Sequence, residues 1–461
     1  MQTMSQELII SISGMRGLIG KNLFPETATG YGSAFGTFLK KRHTGQEKLS
    51  VAIGRDSRPS GVMIFSAVAA GLTAVGIDVV DLGICSTPAV GVMLRHLKCA
   101  GGIVITASHN PTPYNGIKLL LENGIAPPKE MAEQIIQAYR DARFDFVDAL
   151  GCGISKLDTH ANQVHLDKVL AIVDKDKIRP KKFRVVLDSV NGAGGVEGLM
   201  LLEALGCEVV PMNVEPTGIF AHTPEPTAEN LTTLCQQVAD SGAVAGFAQD
   251  PDADRLAIVD EKGDYIGEEF TLALVAQLVF SKMQGPAAAN LSTSRMIDDI
   301  AAKVGCEVIR TAVGEANVAN AMIEHNCVIG GEGNGGIIDL RVGPIRDSLV
   351  GMALVLELLT ETGKTVSQLA GELGGYTMQK NKYPADKEQA AAIIEKTKAA
   401  FPDAKLNTSD GCRFDFPDGW IHIRTSNTEP IMRIIVETKD PAVVKKYLDT
   451  IETIRLDILK S

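Results

Sequence analysis

A serine hydroxyl held on an irregular loop is a nucleophile, and Thr106-Ala-Ser-His-Asn-Pro111 offers one. The apolar run Gly102 to Ile105 ahead of it reads as a buried parallel strand ending at Thr106. Ligands of open α/β sheets sit just past the carboxyl ends of strands, so Ser108 is expected in a crevice. Pro111 and Pro113 keep the chain from entering a helix directly. Alone, a Ser-His-Asn trio is more often a solvated turn. The rest of the chain decides.

The second stretch is Asp250-Pro-Asp-Ala-Asp-Arg255. Carboxylates at i, i+2 and i+4 share one side of an extended segment. Such clustered anions repel unless a cation neutralises them, and a hard divalent ion with oxygen ligands suits them. Mg²⁺ is the expected ion where phosphate is present. Glu261 completes a spacing like that of a calcium EF-hand, but Arg255 stands where that loop needs glycine.

Gly330-Gly-Glu-Gly-Asn-Gly-Gly336 is the third stretch. Its glycines allow close backbone approach to a ligand, and Glu332 and Asn334 remain to read sugar hydroxyls. The fourth is Arg424-Thr-Ser-Asn-Thr-Glu-Pro430 with Arg433. Its guanidiniums, hydroxyls and backbone N–H groups form a nest for a phosphate dianion. Ser13-Gly-Met-Arg-Gly17 is expected to be a further small-residue loop carrying one cation, Arg16. Lys118 lies close enough in sequence to Ser108 to point back toward it.

These loops need a scaffold, and residues 50–106 alternate strand and helix in a βαβαβ rhythm. Strands are expected near Ser50–Ile53, Ile77–Leu82 and Gly102–Thr106, with helices over Gly61–Val75 and Thr87–Leu97. Gly116–Leu121 reads as a strand turned into a hairpin by Asn123-Gly124, and 127–149 as helix. A second α/β unit has strands near 183–187, 208–212 and 243–248, and a third runs from about 263 to 375. A smaller α+β unit follows the glycine-rich stretch Gly371 to Tyr376. The expected fold is α/β, with three similar mixed or parallel domains (1–155, 156–262, 263–375) and a C-terminal α+β domain (376–461) around a central cleft.

The chain has 461 residues, 45% hydrophobic and 22% charged. That length allows roughly three to four domains of ordinary soluble type. A net charge of −11 argues against nucleic acid or an anionic membrane as partner. Its eight cysteines are scattered, without metal-ligand spacing, which fits reduced, mostly buried thiols in a cytoplasmic protein. Met1 to Ile10 lacks a signal-peptide pattern.

Taken together, the motifs resemble the α-D-phosphohexomutase superfamily, which includes phosphoglucosamine mutases, phosphomannomutases and phosphoglucomutases. The resemblance covers essentially the whole chain, in the family's motif order. It implies Ser108 as a phosphorylated nucleophile and Asp250, Asp252 and Asp254 as Mg²⁺ ligands, with a phosphoserine oxygen completing the set. Glu332 and Asn334 would read the sugar. Arg424, Ser426, Asn427, Thr428 and Arg433 would hold the non-reacting phosphate, with Arg255 also on the substrate side. Lys118 and Arg16 would border the serine, Lys118 being the better acid/base group; His109, whose side chain is expected to diverge from Ser108 on an extended segment, would not be the base but would orient the phosphoserine or its loop.

The implied reaction interconverts hexose 1- and 6-phosphates through a 1,6-bisphosphate. Gly-Glu-Gly-Asn-Gly-Gly replaces the Gly-Glu-Gln-Ser-Gly-His of typical bacterial phosphoglucosamine mutases, and Ser-Asn-Thr-Glu-Pro replaces Ser-Gly-Thr-Glu-Pro. Both variants resemble a branch found in archaea and some bacteria. Glucosamine phosphate is the expected substrate, with mannose or glucose phosphate as the alternative, acted on by a monomer or homodimer. A phosphomonoesterase using the same serine and a non-catalytic sugar-phosphate-binding protein are the rivals from other classes.

Overall fold

The computed structural model describes residues 8–45, 48–425 and 431–460. Four sheets follow one another along the chain. The first combines β1 (Ile9–Ser11), β2 (Gly14–Leu18), β3 (Ser50–Arg55), β4 (Asp78–Ile84), β5 (Gly101–Ile105), β6 (Tyr114–Leu121) and β7 (Ser155–Leu157) in the order β1-β2-β6-β5-β3-β4-β7. Strand β3 runs parallel to β4 and β5, whereas β6 lies antiparallel to β5 and β2.

The second sheet contains β8 (Arg184–Asp188), β9 (Glu208–Met212), β10 (Ala245–Gln249) and β11 (Leu256–Asp260), with β10 parallel to β8 and antiparallel to β11. The third contains β12 (Ala287–Asn290), β13 (Val308–Thr311), β14 (Ile329–Glu332) and β15 (Gly336–Ile338), with β12 parallel to β13 and β14, and β15 antiparallel to β14. The last is antiparallel: β16 (Thr377–Pro384), β17 (Lys405–Asn407), β18 (Cys412–Phe416), β19 (Gly419–Thr425) and β20 (Ile431–Thr438).

A common plan emerges. In each of the first three sheets a fully buried strand ends and the chain turns back antiparallel (β5 to β6, β10 to β11, β14 to β15). The serine loop, the aspartate loop and the glycine-rich stretch are these three turns. The α/β rhythm of the sequence therefore stands, with three mixed units and an α+β unit in series.

Helices cover the sheets. The second and third units share one apolar core, in which Leu187, Leu201 and Phe247 join Leu274, Leu349 and Leu354. Helices Glu269–Lys282 and Ser348–Thr362 are buried along most of their length because they lie inside that core. The first unit packs around Phe35, Val51, Leu72 and Ile103, and the last around Phe414, Ile421, Ile434 and Val444.

Several local expectations give way. Residues 14–18 are not a loop but strand β2, pinned to β6 so that Arg16 pairs with Gly116. The Asn123-Gly124 turn forms (Gly124 N–H donates to Leu121 O at 2.9 Å) but no hairpin partner follows, since β6 already pairs with β5 and β2. Helix over 127–149 is confined to Lys129–Arg140. The helix Val366–Leu373 runs through Gly371, so the first residues of the glycine-rich stretch are helical rather than a connection between units.

Candidate active site

The serine loop is built around a left-handed residue. Ser108 has φ 50° and is 3% exposed. Its N–H donates to Thr106 Oγ1 at 2.9 Å, and Thr106 Oγ1 donates to Asp56 Oδ2 at 2.6 Å. Arg58 binds the loop from beneath, donating to the carbonyls of Ser108 (2.7 Å), Asn110 (2.6 Å), Pro111 (2.7 Å) and Tyr114 (3.0 Å), with Asp56 as its counter-ion. The loop is thus fixed by buried, charge-assisted bonds.

The left-handed turn has a chemical consequence. The expected divergence of Ser108 and His109 holds for an extended segment, but here Ser108 Oγ lies 3.3 Å from His109 Nδ1. A positive charge on His109 is opposed by Arg255, by burial and by Arg16, which together hold its pKa well below the usual imidazole value. It is a neutral hydrogen-bonding partner. On its outer side Nε2 lies 3.9 Å from Glu225 Oε1, and Arg255 Nη1 lies 4.0 Å from the same oxygen.

Ser108 Oγ also donates to Asp250 Oδ2 at 3.1 Å, which brings the first unit's nucleophile onto the second unit's aspartate loop. Asp250, Asp252 and Asp254 are fully buried, each offering an oxygen within 4.8 Å of the others. They converge through a turn rather than an extended segment: Ala253 N–H donates to Asp250 O at 2.9 Å and Ala253 has φ 56°.

The aspartates divide their oxygens between protein and site. Asp250 Oδ1 accepts from the N–H groups of Asp254 and Arg255, both at 3.1 Å. Asp252 Oδ2 accepts from Thr87 Oγ1 (2.6 Å) and Lys118 Nζ (2.7 Å). Asp254 Oδ2 accepts from Arg346 Nη2 (2.5 Å) and Lys118 Nζ (3.4 Å). Asp252 Oδ1 and Asp254 Oδ1 are buried without a hydrogen bond. Three oriented, converging carboxylates, two of them with a buried oxygen that has no hydrogen bond, suit a hard divalent cation, so the donor set fits Mg²⁺.

Electrostatics agree with that reading. Burial and the charges of Asp254 and Asp252 push the Asp250 carboxyl well above the usual range. Asp252 goes the other way, because Lys118 and Thr87 outweigh its burial. Burial disfavours the Lys118 ammonium, yet Asp252 and Asp254 more than offset this and raise its pKa. Lys118 is therefore held as the ammonium beside Asp252 and Asp254. Arg16, half-buried on β2, feels burial first and then the opposed fields of Asp252 and Arg255.

The glycine-rich stretch is a tight hairpin, not an open loop: Glu332 pairs with Gly336 across β14 and β15. Glu332 Oε1 accepts from Asn290 Nδ2 (2.8 Å) and Gly314 N–H (3.1 Å), and Oε2 from Arg346 Nη1 (2.9 Å) and Asn334 Nδ2 (3.5 Å). Asn334 also accepts from Gly336 N–H at 3.2 Å. Its long bond to Glu332 is the one a sugar hydroxyl could replace.

In the last unit Arg424 and Arg433 stand opposite each other on β19 and β20. Arg424 Nε donates to Asp410 Oδ2 at 3.0 Å, and the same oxygen accepts from Val313 N–H of the third unit at 3.1 Å. Ser426, Asn427 and Thr428 lie outside the described residues.

Sequence reading missed Asp56, Arg58, Thr87, Glu315 and Arg346. A signal existed for the first three. Asp56 and Arg58 follow β3 and Thr87 follows β4, at the same carboxyl edge that singled out Ser108. Arg346 precedes Asp347, the N-cap of Ser348–Thr362, but nothing local says that it reaches across to Asp254.

Comparison with known proteins bears directly on this site. Four family models match in series: phosphoglucomutase/phosphomannomutase alpha/beta/alpha domain I over residues 8–145, domain II over 163–263, domain III over 267–375 and the C-terminal domain over 382–454. A phosphoglucomutase/phosphomannomutase of Thermococcus kodakarensis is 40% identical over 95% of this chain and 96% of its own length. A Methanosarcina barkeri protein named "probable phosphoglucosamine mutase" is 35% identical over 97% and 99%. A crystal structure of a phosphoglucomutase/phosphomannomutase family protein from Burkholderia thailandensis, 28% identical, superposes with a TM-score of 0.86 over 98% of this chain and 97% of that one. The serine, aspartate and glycine turns thus sit on the first three domains of a known four-domain design, and the chain belongs to the phosphoglucomutase/phosphomannomutase family of phosphohexomutases.

Proposed function

We propose that this phosphohexomutase carries its phosphoryl group on Ser108 and moves it between the 1- and 6-positions of a hexose phosphate by way of a 1,6-bisphosphate. The observation that carries the reading is the 3.1 Å bond between Ser108 Oγ and Asp250 Oδ2, which joins nucleophile and acidic triad. Asp250, Asp252 and Asp254 would hold Mg²⁺. When bound, it offsets negative charge on the transferring phosphoryl group.

In the first transfer the bond between phosphorus and Ser108 Oγ breaks and one to the sugar hydroxyl oxygen forms. One proton passes from that hydroxyl to Ser108 Oγ. Lys118, proton-rich beside Asp252, donates to the departing oxygen and recovers a proton from the attacking hydroxyl. In the second transfer the bisphosphate has turned round and the same groups act in reverse. His109 stays neutral and orients Oγ. Little covalent work is left to the protein in phosphoryl transfer, so positioning by the loops does most of the rest.

The facing pair Arg424 and Arg433 supports a fixed clamp for the non-reacting phosphate, because two guanidiniums set opposite each other on β19 and β20 suit a phosphate dianion. Glu332 and Asn334 are assigned to the sugar hydroxyls, Arg255 to the substrate and Arg16 to the phosphoserine side. Glucosamine phosphate is our preferred substrate, supported by relatives that bear that mutase's name along nearly their whole length. The 40% identical relative, a phosphoglucomutase/phosphomannomutase, favours mannose or glucose phosphate as the second reading.

Every group in this mechanism comes from one chain, so it works in a monomer as in a homodimer. No described helix is long and apolar enough to cross a membrane. The free state of all eight cysteines supports a reducing cytoplasm. We propose domain ends near 155, 262 and 375, the first falling at the edge strand β7 (Ser155–Leu157) of the first sheet.

The decisive experiment is intact-mass detection of one phosphate on Ser108 that is lost to added hexose phosphate, with Ser108→Ala as the control. A hydrolase would release the phosphate to water, and a binding protein would carry none. Mutase turnover by Ser108→Ala would overturn the reading. Relative kcat/KM for glucosamine, mannose and glucose phosphates, with a bisphosphate activator, decides the sugar.

A further inference from the structure

Asp254 and Glu332 stand on different units, yet one side chain holds both. Arg346 donates from Nη2 to Asp254 Oδ2 at 2.5 Å and from Nη1 to Glu332 Oε2 at 2.9 Å. A guanidinium is a planar fork, so carboxylates on its two prongs are fixed relative to each other. Arg346 is itself held: its backbone N–H donates to Glu315 Oε1 at 2.6 Å, and its Nε lies 3.6 Å from the same oxygen. Its Cδ occupies space that a Cβ on Gly336 would enter, at 2.2 Å, so a glycine of the hairpin makes room for the side chain.

The residue after next acts on the same joint. Ser348 N–H donates to Ala253 O at 3.2 Å, and Ser348 Oγ accepts from Gln249 Nε2 at 2.8 Å. Ala253 lies between Asp252 and Asp254. The third unit therefore grips the aspartate turn by its backbone as well as by Arg346.

Charge alone makes this arrangement costly. A buried cation beside three aspartates competes with any metal ion they hold. Orientation accounts for it: by taking Oδ2, Arg346 leaves Asp254 Oδ1 as the oxygen without a hydrogen bond. We propose that Arg346 is a positioning residue whose fork aligns the metal ligand Asp254 with the sugar-binding Glu332. One side chain then sets both metal affinity and sugar affinity. The inference rests on the site reading above.

Charge and orientation predict opposite signs, which makes the test sharp. The full-length Arg346→Gln and Arg346→Lys variants are compared with wild type by calorimetric titration of Mg²⁺ without substrate. Steady-state kinetics follow on the better of glucosamine 1-phosphate and mannose 1-phosphate. Loss of orientation in Arg346→Gln weakens Mg²⁺ binding roughly tenfold or more, although a repelling charge has gone. KM rises roughly tenfold in both variants, because lysine keeps the charge without the fork. Tighter Mg²⁺ binding by Arg346→Gln, or a wild-type KM in Arg346→Lys, overturns the proposal. Should Arg346→Gln not fold, the KM of Arg346→Lys at native melting temperature decides alone. Asp252→Asn separates the two levels: wild-type Mg²⁺ binding there sinks the site reading itself. Loss there with unaltered binding and KM in the Arg346 variants sinks only this inference.

Discussion

Thr87 holds Asp252 from two directions: its Oγ1 donates to Asp252 Oδ2 at 2.6 Å, and its backbone N–H donates to Asp252 O at 2.9 Å. Thr87 is the first residue of the helix Thr87–His96, where an N–H has no partner within the helix. The first unit thus spends a helix start on steering an aspartate of the second. Thr87→Val keeps the shape and the backbone bond but removes the hydroxyl. We expect Mg²⁺ affinity to fall about tenfold and stability by about 1.5–3 kcal/mol, the range for a bond to a charged acceptor. Calorimetric titration and urea unfolding measure the two effects. An unchanged dissociation constant would mean that Lys118 alone orients Asp252.

Arg58 does for the serine what Thr87 does for the metal site. It gathers four carbonyls of residues 108–114 and stacks over the Phe220 ring at 4.9 Å, so the loop is tied to the second unit as well. Arg58→Met strands Asp56 as a buried, unpaired carboxylate. The cost should be about 3–5 kcal/mol, read by urea denaturation, with loss of Ser108 phosphorylation by intact mass. Stability within error of wild type would show that the loop holds its shape without this cation.

How far the sequence spoke depended on whether the signal was local. Ser108 and the three aspartates stood out because their chemistry is concentrated within a few residues. The left-handed conformations of Ser108 and Ala253 did not, since neither residue type advertises a positive φ, and both the Ser108–His109 contact and the aspartate turn follow from them. The helix Ser348–Thr362 carries no amphipathic rhythm because it is buried on nearly every side, and β12 is three alanines and an asparagine, a weak strand signature. Arg346 and Glu315 find their partners only through tertiary packing.

The hairpin at Gly335 depends on the second unit in a way that single substitutions can separate. Gly335 has φ +82°, its O accepts from Leu256 N–H at 2.9 Å, and a Cβ there would meet Leu256 O at 2.3 Å. Gly363 is also left-handed, at φ +65°, but has nothing within 4 Å. Gly363→Ala should cost only the conformational term, about 1–2 kcal/mol. Gly335→Ala should cost clearly more and raise KM for the sugar phosphate, because Glu332 and Asn334 ride on the displaced hairpin. Equal costs in urea unfolding, with KM unchanged, would disprove the interlock.

His165 makes the joint between the second and third units sensitive to alkali. Its Nδ1 lies 2.9 Å from Glu197 Oε1 and its Nε2 2.6 Å from Asp347 Oδ2, with all three side chains buried. Both ring nitrogens must donate to satisfy two carboxylates, which requires the imidazolium. Burial opposes that charge, but Asp347 and Glu197 outweigh it and push the pKa up to about 10. An unfolded histidine titrates near 6.5. Because the folded value is the higher, the stabilisation is complete below about pH 6.5 and is lost as pH rises through about 10. Thermal melting of the wild-type enzyme should therefore fall between about pH 7 and pH 10.5. His165→Gln has no proton to lose, so it should start lower and decline less over the same interval. Parallel melting curves for the two proteins would mean that the imidazole is already neutral in the fold, and that one of its two carboxylates carries the proton instead.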